Sequence, residues 1–417
     1  MTPGDVLQII WQLFALTWWL ILPPFLFFTF LEMWRGYVEG LYLRSMTWTL
    51  LEIKVPKNIS RTPKAMEQIF AALHGFQSSP KFVDKWWTGK VSDWVSFELV
   101  GHKGGVTFYV RTPEGYRNLI EAAVYAQYPE AEIVEAVDYV QDLPSILPNE
   151  TYDLFGMNFM LAKEDAYPIR TYEYFEDKED ERRLDPIAAI TEVMSKLKEG
   201  EIMWIQLLVE PAGDEWKEKA EGVVAELIGA KPKESQSVSF APVFNFLTDL
   251  AKAPFVPPSL PEPGKQEKRE GPANQLSFLT PGKRDVVEAI EEKISKLGCR
   301  SNLRFVYIDN RGSFTRSNVA AIIGAFQQFN TKNLNALKPD GDTVTKGSWP
   351  FKARNEYLKK RQLILAYKTR SFAHKAFVMN TEELATIFHF PTLVVEAPRL
   401  RRLESKKGEP PPNLPLG

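Results

Sequence analysis

The stretch Glu201-Ile-Met-Trp-Ile-Gln-Leu-Leu-Val209 is rich in bulky apolar residues and contains neither glycine nor proline. Such a run is typical of a buried β-strand. A helical pattern stands directly before it: Asp185-Pro186 places a capping residue before a proline, and apolar residues then recur at helical spacing from Ile187 onward. This part of the chain therefore predicts a helix followed by a strand.

The same unit recurs on both sides of this stretch. Thr112-Pro113 and Thr280-Pro281 begin two further helical patterns, which precede strand-like runs at 131–136 and 303–308. Thr62-Pro63 begins a fourth helix in the same way. The units share a structural pattern but little residue identity.

Further elements complete the predicted fold class. Residues 95–100 and 106–110 predict a β-hairpin, residues 215–227 and 316–328 predict helices, and residues 362–367 predict a late strand. Strand pairs and helices in this order favour an α+β fold. We expect two ferredoxin-like α/β sandwich lobes, each with helices on one face of a mostly antiparallel sheet.

Composition suggests where the chain divides. Residues 231–279 are polar and proline-rich, which predicts an exposed linker between a first lobe at 95–230 and a second lobe at 280–403. Residues 35–94 are predicted to form a juxtamembrane helical segment. The proline-containing residues 404–417 predict a disordered tail.

Residues 1–34 predict a transmembrane anchor. No Asp, Glu, Lys or Arg lies between Val6 and Leu31, a run that exceeds the ~20 apolar residues a helix needs to cross a bilayer. Pro23-Pro24 leave a bent span or a re-entrant hairpin open, and a buried core helix is the bland alternative. The side chains expected to contact lipid and its headgroups are Trp11, Trp18, Trp19, Phe27, Phe28, Trp34 and Arg35.

Charges around the anchor predict its orientation. Asp5 is the only charged side chain before the run, whereas Arg35 and Arg44 follow it, so the carboxyl-terminal region is expected in the cytoplasm. The single cysteine, Cys299, agrees with a reducing compartment. We expect a single-pass protein of the cytoplasmic (inner) membrane, with membrane lipid as one partner.

Signals for catalysis are weak. Pro281-Gly282-Lys283-Arg284 lacks the Ser or Thr that a phosphate-binding loop needs after Gly-Lys, so it is better explained as a helix start. The acidic residues between 173 and 185 lack the central glycine of a calcium loop. A nucleophile built from Cys299 and one of four histidines has little support. We therefore expect a protein that is not an enzyme and holds no cofactor or metal.

The carboxyl-terminal part of the chain carries clustered cations, which could neutralise the phosphates of nucleic acid or anionic lipid. A solvated face or a protein partner is the alternative. The candidate contacts are Lys359, Lys360, Arg361, Arg399, Arg401 and Arg402.

A short helix should follow Asn380, because Asn380 and Glu383 fit a capping box. Leu384, Ile387 and Phe388 then share one face. This face is predicted either to pack on the second lobe or to dock a neighbouring subunit.

Five stretches of the sequence together carry a family resemblance. They are Pro63-Lys-Ala-Met-Glu-Gln-Ile-Phe-Ala-Ala-Leu-His-Gly75, Ala122-Ala-Val-Tyr-Ala-Gln-Tyr-Pro-Glu-Ala-Glu-Ile-Val134, Tyr167-Pro-Ile-Arg-Thr-Tyr172, Gly200-Glu-Ile-Met-Trp-Ile-Gln206 and Thr381-Glu-Glu-Leu-Ala-Thr-Ile-Phe-His-Phe-Pro391. Through these stretches the chain resembles the membrane-anchored amino-terminal region of coupling-protein-like ATPases of conjugation and type IV secretion, from uncultured bacterial lineages. The resemblance covers most of residues 5–415.

The resemblance implies a non-catalytic scaffold of a machine that translocates DNA or protein. Its expected partners are an ATPase motor, other secretion-system subunits and further copies within an oligomeric assembly. The motor itself would be a separate polypeptide, or this chain a fragment of a longer one. The alternatives are an enzyme with an unrecognised site in the cytoplasmic lobes, or a membrane adaptor that binds lipid or nucleic acid.

Overall fold

The computed structural model describes residues 3–56, 61–76, 80–103, 105–175, 185–229, 279–372 and 375–391. The strands of these residues are β1 Trp48–Lys54, β2 Val95–His102, β3 Gly105–Pro113, β4 Glu132–Glu135, β5 Tyr152–Leu161, β6 Ile202–Pro211, β7 Gly298–Asn310, β8 Leu337–Pro339 and β9 Phe377–Asn380. The α-helices are α1 Pro3–Ser45, α2 Lys64–Ala72, α3 Arg117–Gln127, α4 Ala188–Ser195, α5 Glu215–Leu227, α6 Pro281–Ser295, α7 Arg316–Phe326, α8 Lys352–Lys368 and α9 Thr381–Ile387.

The described strands form one nine-stranded antiparallel sheet in the order β4-β1-β3-β2-β6-β7-β5-β8, with β9 beside β7. The predicted α+β class with antiparallel pairing is therefore confirmed. The prediction of two separate sheets is wrong, because β2 pairs directly with β6, from Val95 opposite Val209 to Gly101 opposite Met203. An exposed edge strand readily pairs with another strand. Here β2 and β6 would each be such an edge, and each covers the other.

Two halves of the sheet repeat one element order. The first half runs β1-α2-β2-β3-α3-β4, and the second contains β5-α4-β6-β7-α7-β8 with α5 and α6 inserted between β6 and β7. The two halves also share one strand order. Outward from the β2–β6 contact, the first half runs β2-β3-β1-β4 and the second half runs β6-β7-β5-β8.

Residues 231–279 do not separate the two halves. They lie almost entirely outside the described residues, but the strands that flank them, β6 and β7, are neighbours in the sheet, with Ile202 opposite Ile308. The predicted linker thus falls inside the second half. The 35–94 segment is also less helical than predicted, because it contains β1, which pairs with β3 and β4.

The main core lies between the sheet and the helices of one face. Alternate residues of the central strands point to it, among them Phe97 of β2, Ile205 of β6 and Phe305 of β7. Helices α2, α3, α4, α7 and α9 contribute the opposing apolar side chains. This arrangement follows from the period of two along strands and 3.6 along helices.

Helix α8 covers the opposite face of the sheet. Leu363, Ile364 and Tyr367 pack there against Trp204 and Val306. The apolar run at 362–367, predicted as a strand, is thus part of a helix. A short apolar run has the same composition in a buried strand and in the buried side of a helix.

Local predictions elsewhere agree with the structure. The hairpin is present as β2 and β3, and α5 spans Glu215–Leu227 as expected. Helix α6 begins with Pro281 directly after Thr280, whereas α2, α3 and α4 begin one to four residues after their prolines. At Thr280 no side-chain capping bond forms, so the proline alone marks this helix start.

Candidate membrane-attachment site

Helix α1 is 43 residues long and includes Pro23 and Pro24, so the described chain has no re-entrant hairpin at these prolines. Large apolar side chains are exposed along this helix; for example, Trp11 is 68% exposed and Phe28 is 65% exposed. Among the predicted lipid-contacting residues, Trp11, Trp18, Trp19, Phe27, Phe28 and Arg35 are exposed, and Trp34 is half-buried.

Within the part of the chain that the structure describes, no helix is both long and apolar enough to cross a membrane.

The carboxyl-terminal part of α1 is docked on a short π-helix, Asp84–Thr88. The Trp34 indole N–H donates a hydrogen bond to the carbonyl oxygen of Trp86 at 2.9 Å. Gly89 follows in the left-handed region, with φ of 68°, and a Cβ built there would lie 2.1 Å from the Val38 carbonyl oxygen. Glycine therefore permits this close approach.

The docking segment adds exposed apolar surface beside α1. Phe82, Val83 and Trp87 are exposed, and the Phe82 ring packs on Trp86 with centroids 5.7 Å apart. We call α1 together with residues 82–89 the attachment surface. The second part of this surface was not predicted from the sequence, in which the Trp86-Trp87 pair before Gly89 is the signal for it.

The attachment surface belongs to one end of the sheet. Helix α1 leads into Trp48, the first residue of β1, which lies opposite Pro113 at the end of β3. Val95, the first residue of β2, lies opposite Val209 near the end of β6. Trp48 is held by the Arg111 guanidinium, 4.3 Å from the ring centroid. Hence α1 joins the sheet at a strand end that is fixed by β-pairing and by the contact between Arg111 and Trp48.

Arg35, predicted to orient the anchor, forms an exposed ion pair with Glu39 one helical turn later, at 2.9 Å. Such an exposed pair contributes only about 0.3–0.5 kcal/mol.

The predicted anion-contacting cations have different surroundings. Lys360 is buried, with its Nζ 2.8 Å from carboxylate oxygens of both Asp153 and Glu356. Lys359 is half-buried and donates to the Gly341 carbonyl, while Arg361 is exposed beside the Tyr357 ring. The Lys360 ammonium group is thus engaged inside the fold, in ion pairs with these two carboxylates. Arg399, Arg401 and Arg402 lie outside the described residues.

The predicted helix after Asn380 is present as α9, and its capping box is confirmed. Leu384, Ile387 and Phe388 are all buried, so this face is not exposed for docking. Phe388 packs on Phe97 and Phe108, both in the first half of the sheet. The sequence predicted packing on the second lobe only. In the structure the helix also packs on the first half of the sheet, although β9 before it pairs with β7 of the second half.

The candidate nucleophile lacks activation. Cys299 Sγ lies 3.4 Å from His74 Nε2, a proximity that the sequence did not reveal. Burial raises the pKa of the Cys299 thiol to about 12. A thiol with this pKa is almost entirely protonated at neutral pH and is a poor nucleophile. Among the described residues, no cluster of His, Cys, Asp and Glu is placed to hold a metal ion.

A family model described as "Domain of unknown function (DUF8128)" matches residues 31–402. The match begins inside α1 and includes the docked part of the attachment surface. Comparison with curated proteins finds no match.

Proposed function

We propose that this chain, which belongs to the DUF8128 family, is a membrane-attached, non-catalytic scaffold. Helix α1 inserts into a lipid bilayer, and the body around the sheet presents binding surfaces next to that membrane. The observation that carries the proposal is the row of exposed aromatic and aliphatic side chains along α1.

Four phenylalanine side chains of α1 are each more than half exposed: Phe25, Phe27, Phe28 and Phe30. Moving one such side chain from water into an apolar environment stabilises by about 1.5–3 kcal/mol. Contiguous exposed apolar surface of this kind marks a protein or membrane interaction site. Bilayer insertion supplies the apolar environment for all sides of the helix at once.

We propose a single-pass orientation with the body in the cytoplasm, on the basis of Arg35 and Arg44 after the apolar run. The resemblance to conjugation and type IV secretion ATPases supports a more specific role. In that role the body, with two ferredoxin-like halves, positions an ATPase motor and contacts other subunits of a translocation machine.

The test uses the full chain, reconstituted from detergent with phosphatidylcholine vesicles and floated on a density gradient. We expect the native chain to float and to resist alkaline carbonate extraction. Phe27→Asp with Phe28→Asp should leave the chain in the dense fractions, because a charge at bilayer depth costs about 2.5–3.5 kcal/mol.

Val137→Asp is the matched control, since Val137 is 83% exposed on the body. This variant should float like the native chain. Native protein that stays in the dense fractions, or a double variant that floats undiminished, would contradict the proposal.

A further inference from the structure

A cleft of about 580 Å³ lies where β5 begins, between α7 and α8. Its apolar lining includes Phe155, Phe314, Val319 and Ile323. A volume of this size is typical of pockets for small molecules, which combine apolar walls with a few polar groups.

The rim of the cleft is positively charged. Arg316, Lys346 and Lys352 line it and are exposed, and none of them has an ion pair or side-chain hydrogen bond with another described residue. Deeper in, Lys360 is held between Asp153 and Glu356. Four cations minus two carboxylates leave a net charge of +2 on the lining.

The rim cations stand where their charge is unfavourable. Arg316 and Lys352 are the first residues of α7 and α8, and neither helix has an acidic residue in its first turn. Helix amino termini carry partial positive charge and favour anions. Cations at both positions raise the positive potential of the cleft, and a bound anion would offset it.

We propose that this cleft binds a soluble phosphate ester with an aromatic moiety, of the size of a nucleoside phosphate. Arg316 and Lys352 contact the phosphate, and the Phe155 and Phe314 side chains contact the aromatic part. Guanidinium groups match phosphate oxygens in a bidentate geometry, which a lysine complements as a point charge.

The position of the cleft favours a ligand from solution over a lipid headgroup. The cleft adjoins Asp153, which lies opposite Asp309 near the end of β7, and Ile202 at the start of β6 lies opposite Ile308. The attachment surface belongs to the opposite strand ends, where β1 and β2 begin. The ten residues of β6 alone span about 34 Å.

Calorimetric titration of the full chain in a zwitterionic detergent tests the site. The probes are ADP, inorganic phosphate, water-soluble dihexanoyl phosphatidylglycerol and a single-stranded oligonucleotide. We expect ADP to bind most tightly, with weaker binding of phosphate in competition with it. Arg316→Gln with Lys352→Gln should weaken ADP binding at least about tenfold.

Arg354→Gln is the control, because Arg354 is exposed on α8 but does not line the cleft. It should bind ADP like the native chain, and equal thermal midpoints would show that all variants are folded. The proposal is overturned if ADP does not bind, if the double variant binds it unchanged, or if the lipid or the oligonucleotide binds more tightly than ADP.

Discussion

Arg370→Met should destabilise the protein severely, because Arg370 is 1% exposed and neutralises two carboxylates. Its guanidinium donates to Glu98 at 2.9 and 3.1 Å and to Asp138 at 2.6 and 2.8 Å. Methionine approximates the length of the side chain without its charge. The substitution leaves the Glu98 carboxylate buried and without its cation.

The structure sets the magnitude of this loss. Glu98 is fully buried on β2, and the hydrogen-bond donors that it keeps among the described residues after the substitution are neutral, namely Ser96, Tyr139 and Gln206. Removing one partner of a buried ion pair costs about 3–5 kcal/mol. That is a large part of the about 5–15 kcal/mol by which proteins are usually stable.

Urea unfolding of the full chain in detergent, followed by tryptophan fluorescence, measures the effect. A matched double variant, Arg370→Met with Glu98→Gln, removes both charges and should recover part of the lost free energy of unfolding. A loss below about 1 kcal/mol in the single variant would refute the reasoning, since it would equal the value of an exposed pair.

The pH dependence provides an independent check. Burial by itself would raise the pKa of Glu98, but the Arg370 charge and the hydrogen bonds outweigh burial and hold this pKa below its usual value. A carboxyl group with a lowered pKa stabilises the fold above its unfolded pKa of about 4.3, and this stabilisation is lost as the pH falls through the folded pKa.

Without Arg370, burial dominates and the Glu98 pKa should rise, so the sign of this contribution reverses. The variant should then gain stability relative to native protein as the pH falls toward 4. An unchanged difference between native and variant from about pH 7 to about pH 4 would contradict this account.

Three further outcomes are expected. Phe388→Ala should lower the free energy of unfolding by about 3–5 kcal/mol, because Phe388 is 1% exposed, whereas Leu365→Ala at an exposed position of α8 should change it by less than about 0.5 kcal/mol; an unchanged thermal midpoint for Phe388→Ala would rule out its packing role. Cys299, with its pKa raised to about 12 by burial, should resist iodoacetamide at pH 8 in the folded chain and react once the chain is unfolded, as mass spectrometry would show; rapid labelling of folded protein would disprove its burial. Gly298→Ala should destabilise by about 1–3 kcal/mol, because the added Cβ would meet the Trp216 ring at 2.3 Å, and equal urea midpoints would contradict this close packing.

Local signals predicted the elements whose determinants lie within a few residues. The strand 95–100, its hairpin partner, helix α5 and the capping box at Asn380 all depend on neighbouring residues along the chain. The run 362–367 was misassigned because its apolar residues serve the buried side of α8, against the second face of the sheet. Burial on that face was decided by elements distant in sequence.

The cleft shows the same division. Residues 359–361 form a basic cluster in the sequence, yet Lys360 is neutralised by Asp153, which is 207 residues away in the chain. Arg316 and Lys346, which form no ion pair with another described residue, come from parts of the sequence without any phosphate-binding motif. Only the meeting of α7, α8 and the start of β5 brings them to one cavity.

The sequence by itself determined the apolar character of the amino-terminal run, the α+β class and most element positions, because these depend on composition and on spacings of two to four residues. Only the tertiary structure decided that both halves share one sheet and that Arg370 meets Glu98, 272 residues away. Such pairings depend on which strand edges meet, and an edge offers the same backbone donors and acceptors whatever its side chains are.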